Sequence, residues 1–74
     1  MNNYNKDLMD KWRKMVIAAI AGYFRRTEQY TELAYVARME KIKSTAARSA
    51  QVDDFNTIKY TKLRSIYNEF RRKE

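Results

Sequence analysis

Cysteine, histidine and proline are all missing from this 74-residue chain, and glycine occurs once, at Gly22. Without Cys or His there is no disulfide framework, thiol nucleophile, imidazole base or ordinary zinc or haem ligand set. A single Gly and no Pro exclude a phosphate-cradling glycine loop, a dinucleotide fingerprint, a collagen-like repeat and a turn-rich β-sandwich. Long apolar runs are lacking too. The longest, from Met15 to Phe24, has ten residues between basic flanks, Lys11, Arg13 and Lys14 before it and Arg25 and Arg26 after it. That is about half of a membrane span. Its Ala19-Ile20-Ala21 looks like the cleavage site of a secretory signal, but a chain cut after Ala21 keeps too little core. The run is read instead as the buried centre of a helix, and the protein as cytoplasmic with no membrane span.

What the chain does have is charge and aromatic surface. Sixteen basic side chains against nine acidic ones leave a formal charge of +7. Residues 38–74 hold ten of the bases and five of the acids, so 10 − 5 = +5 of that excess lies in the C-terminal half. Such asymmetry favours an anionic partner, met by nucleic acid, an acidic protein surface or an anionic membrane surface alike. Ile, Leu, Val and Phe supply only 14 residues, a level at which highly charged chains approach disorder. Six Tyr, four Met and one Trp add apolar area. A single domain spanning 1–74 is expected, with thin stability, completed by self-association or a larger complex.

Periodicity points to an all-α, three-helix protein. Over residues 3–26, Leu8, Met9, Trp12, Met15, Val16, Ala19, Ile20 and Tyr23 fill one helical face. Asn2 or Asn3 is a candidate cap, and Asp7–Lys11 and Asp10–Lys14 are candidate i, i+4 pairs. Ile17, Ala21 and Phe24 form a second apolar stripe, which a chain this small has little of its own to cover. That stripe is the candidate partner interface. A second helix, capped by Thr27 or Thr31 and running to about Ser44, has Tyr30, Leu33 and Ala37 on one side and Tyr35, Met39, Ile42 and Ala46 on the other. Two apolar sides make it the expected central helix. The small, polar stretch Ser44–Gln51 either prolongs it or forms the main connection. Asp53, Asn56 and Thr57 compete to cap a third helix that starts at Asp54 or Ile58, ends near Arg72, and buries Phe55, Leu63, Ile66 and Phe70. A long first helix through Ser44 would give a two-helix hairpin instead.

An enzyme reading starts from the carboxylates, since no His or Cys is present to act as base or nucleophile. Glu28 and Glu32 lie one helical turn apart, but beside Arg25 and Arg26 they read as solvated ion-pair partners, not ligands of a divalent ion. Asp53 and Asp54 are explained by capping. No catalytic residue, metal, cofactor or small-molecule substrate is expected. The sharper signal lies on the third helix, where Tyr60, Arg64, Tyr67 and Arg71 recur at i, i+4, i+7 and i+11. Guanidinium forks suit phosphate and aromatic faces accept bases. Lys59, Lys62, Arg72 and Lys73 enlarge the field around this stripe. The alternative is that Tyr67 is a core-edge residue and the arginines only solvate the helix.

Thr61-Lys62-Leu63-Arg64, followed by Ile66 and Phe70, resembles the helix opening of the small helical subunits of type III CRISPR effector complexes. The resemblance covers about ten residues and nothing before Ile58. It implies a place along a guide-target nucleic-acid path. The residues themselves are read as backbone-binding, with no base-specific contact assigned.

Overall fold

The computed structural model describes residues 3–27 and 33–73, with side chains from Lys6 onward. The described residues form three α-helices and no strand: α1 over Asn3–Thr27, α2 over Tyr35–Ser49 and α3 over Tyr60–Arg72, with one 3-10 turn over Phe55–Thr57 before α3. The hairpin alternative is thereby excluded. No helix is long and apolar enough to cross a membrane among these residues. Glu28, Glu32, Tyr30, Thr31 and Asn2 lie outside the described residues.

α1 follows the periodicity of its apolar positions. Val16 and Ile20 are fully buried, and Met9, Trp12, Ala19 and Tyr23 pack against the core. The helix passes through Gly22 without a break and closes on Arg25 and Arg26, whose charge suits the negative end of the helix dipole. Thr27 belongs to this end and does not cap the next helix. Its hydroxyl donates to the carbonyls of Tyr23 and Phe24 at 3.1 and 3.3 Å. The described ion pair on the polar side joins Asp10 to Arg13, at 2.9 Å and i, i+3, in place of the expected pair with Lys14.

α2 begins later and ends later than its pattern indicates. Ser44–Ser49 continues the helix, because Ala46, Ala47 and Ala50 are small enough to be buried where α2 is pressed against its neighbours. The stop signal is conformational. Gln51 adopts φ 59°, in the left-handed region, while its N–H donates to the Arg48 carbonyl at 3.1 Å and that of Val52 to Ala47 at 3.0 Å. This is the Schellman arrangement, usually built on glycine. Asp54 then caps the 3-10 turn, accepting the Asn56 N–H at 3.0 Å. Ile58 is buried between the turn and α3, whose first turn starts without a side-chain cap at Lys59.

α1, not α2, is the central helix. Trp12 meets Tyr60 and Tyr67, while Tyr23 meets Phe70, so α1 and α3 run parallel. α2 returns between them in sequence and packs on the other side of α1, where Tyr35, Met39 and Ile42 share a hollow with Ile17 and Ala21. The apolar circumference of α1 is therefore covered twice, once by each neighbour. α2 keeps one buried side, built on Ile42, Ala46 and Ala47, while Tyr35 and Val36 in its first turn and Leu33 just before it are exposed. Leu63, Ile66 and Phe70 complete the core as their spacing requires, whereas Phe55 reaches it from the 3-10 turn, because α3 begins at Tyr60 and not at Asp54 or Ile58.

Candidate nucleic-acid interface

The stripe on α3 lies against α1 and is organised by a residue outside it. Trp12 stands edge-on to Tyr60 and Tyr67, with ring centroids 6.0 and 5.5 Å away and planes at 85° to both. All three rings are half-buried. The exposed Arg64 guanidinium lies 5.8 Å from the Trp12 ring centre and 5.7 Å from that of Tyr60. Arg71 lies 5.6 Å from the Tyr67 ring centre and donates from Nη1 to its hydroxyl at 2.8 Å. Two guanidiniums are thus steadied on three rings along one face. An aromatic support narrows the rotamers each long side chain samples, which lowers the entropy cost of contacting a ligand.

A shallow hollow of about 230 Å³ continues this face, between Met15, Ala18 and Ala19 of α1 and Tyr67 and Arg71 of α3. Arg13 fixes the neighbouring junction. It pairs with Asp10 and donates from Nη2 to the Asn56 carbonyl at 3.1 Å, tying α1 to the turn that launches α3. No carboxylate among the described residues pairs with Arg64.

The remaining basic residues of the predicted set are not gathered here. Lys59 and Lys62 are exposed at the start of α3, and helical spacing turns Lys62 away from Arg64. Arg72 lies on the outer surface with Ser65, Asn68 and Glu69. Trp12, whose spacing marks it only as a core residue of α1, is a functional candidate as well. Its being the sole Trp, on the face of α1 that meets α3, was the available signal.

The expected partner stripe takes a different form. Phe24 is buried in the core at 4 % exposure, with Lys41 Nζ 5.3 Å from its ring centre, and Ile17 and Ala21 are half-buried beneath α2. An outward-facing Ile17-Ala21-Phe24 surface does not exist, because α2 supplies the cover the chain was expected to lack. The exposed apolar residues are Leu33, Tyr35 and Val36 at the start of α2, at 38, 67 and 68 %. Asp53 is exposed and Asp54 is used as a cap. No group of three metal-ligating side chains occurs among the described residues. Compared with known proteins, the chain matches no family pattern, no curated protein and no solved structure, so its own geometry carries the functional argument.

Proposed function

We propose that this chain is a small, basic, non-enzymatic helical subunit that binds nucleic-acid backbone within a larger assembly. The observation that carries the reading is the placement of Arg64 and Arg71 on the Trp12-Tyr60-Tyr67 cluster, exposed and aligned along one face. Guanidinium forks pair with phosphate oxygens bidentately, and aromatic faces stack on any base, so contact is made without sequence selection. The net charge of +7 steers the encounter.

The test is fluorescence anisotropy of labelled single-stranded and duplex DNA and RNA, across salt from about 50 to 200 mM. Binding should weaken steeply with salt and disappear in Arg64→Glu/Arg71→Glu. No binding at the lowest salt overturns the reading. A second reading, a protein-protein interaction module that docks through an apolar helix face, draws on the exposed Leu33, Tyr35 and Val36 around the start of α2. Under it, Tyr35→Glu/Val36→Glu removes association seen by sedimentation while the helical spectrum stays unchanged, and the arginine variants have no effect.

A further inference from the structure

α3 ends in Arg71 and Arg72 and is followed by Lys73 as its C-cap, so three consecutive cations surround the end of the helix. Arg71 faces the α1 side, next to Met15 and Ala19. Arg72 faces outward. Lys73 borders the outer surface beside Arg72 and Glu69 and also lines an open cleft of about 600 Å³ between α2 and the end of α3. The floor of this cleft is aromatic. Lys73 Nζ lies 5.1 Å from the Tyr23 ring centre and 4.9 Å from that of Phe70, and Lys41 Nζ lies over Phe24. Arg48, one helical face along from Lys41, lines the same wall. Two carboxylates are nearby: Glu40 on the α2 wall, and the exposed Glu69, 3.7 Å from Lys73 Nζ. The cleft exists because α2 and α3 both pack on α1 and stand apart from each other at this end.

Resting on the phosphate-contact reading above, we infer that the ligand is a single strand. It runs along Arg64 and Arg71, turns around the end of α3 past Arg72, and enters the α2–α3 cleft, where Lys73, Lys41 and Arg48 meet further phosphates. The shape of the molecule decides between strand types. Its extents are 41 × 25 × 20 Å. A duplex with a persistence length of about 50 nm does not turn around a body this narrow, and so reaches one of the two faces at a time. A single strand follows both, and cations interleaved with rings are the usual composition of single-strand grooves.

The experiment measures salt dependence by anisotropy for labelled oligo(dT) of about 6 and about 20 nucleotides, lengths that bracket single-strand site sizes, and for a duplex of about 20 base pairs. Each probe is titrated with the wild-type chain and with Lys41→Gln/Lys73→Gln, folding being checked by circular dichroism. For the long strand, losing two phosphate contacts should flatten the slope of log K against log salt by about 2 × 0.7 = 1.4. The short strand and the duplex should show no change. Equal flattening for duplex and long strand, or none for either, overturns the wrapped path. If those probes still bind through Arg64 and Arg71, the phosphate-contact reading stands without it; if no probe binds at low salt, both fall.

Discussion

Replacing Trp12 with Leu removes the element on which the fold and the candidate interface both depend. Leu keeps an apolar body on α1 but loses two edge-to-face contacts, at 6.0 and 5.5 Å, and the ring beneath Arg64. Each aromatic contact contributes about 0.5–1.5 kcal/mol beyond buried area, and a surface cation–π contact about 0.5–1 kcal/mol. The expected loss is therefore about 1.5–4 kcal/mol, from a total stability of about 4–11 kcal/mol for a chain of this length. Because Trp12 is the only Trp, the variant has no indole fluorescence, and urea unfolding is followed by far-ultraviolet circular dichroism. The pairwise part is isolated by a cycle with Tyr67→Leu, for which a coupling of about 0.5–1.5 kcal/mol is expected. A coupling near zero would mean that the rings contribute only area. In that event Arg64 is not held by a specific platform, and the geometric case for a phosphate site loses its main support.

Other changes test the fold around this face. Gln51→Gly places the residue suited to φ 59° at the end of α2; relief of left-handed strain outweighs the added chain entropy, and the urea midpoint should rise by the equivalent of about 0.5–1 kcal/mol. Gly22→Ala should also stabilise, by up to about 1 kcal/mol, because the new Cβ would meet only the Arg26 Nη1 atom, the mobile tip of a side chain, at 3.3 Å; a lower thermal midpoint would show that Arg26 cannot yield. Phe24→Ala should cost about 3–5 kcal/mol in thermal or urea unfolding, as expected of a core ring and not of a docking residue.

Much of the core was legible because helical periodicity is a direct consequence of one-sided burial. Val16, Ile20, Leu63, Ile66 and Phe70 are where their spacing puts them. The neighbours of each face were not legible, since periodicity says that a face is covered and not by what. Ile17, Ala21 and Phe24 look surplus in a chain this small, which offers no local sign that α2 is the element that covers them. Tyr35 and Val36, on its exposed surface, show why the expectation of two buried sides for α2 failed: apolar residues on a short helix do not report their own burial. The end of α2 was hidden for another reason. Its Schellman turn uses Gln51, which carries none of the signal that Gly or Pro would have provided. On α3 the stripe of Tyr60, Arg64, Tyr67 and Arg71 was visible in sequence, but its support from Trp12 is a long-range contact that no local pattern encodes.

The positive charges of the chain differ in what they need as explanation, and Lys62 separates the cases. Arg25, Arg26, Arg71 and Arg72 lie in the last turns of α1 and α3, where the helix dipole favours cations, so their presence has a structural cause. The first turn of α3 has the opposite field. It contains no acidic residue and has Lys62 at its third position, with Lys59 just before it and Arg64 just after. Lys62→Glu should therefore stabilise the protein by about 0.3–1 kcal/mol through the dipole alone. If the basic start of α3 adds a phosphate contact outside the Arg64–Arg71 stripe, the same substitution must also weaken single-strand binding and flatten its salt slope by at least about 0.7, the loss of one phosphate contact. A more stable variant that binds as tightly as the wild type would make these cations solvated surface. A more stable variant that binds less would mean that helix stability is given up at this position for contact with phosphate.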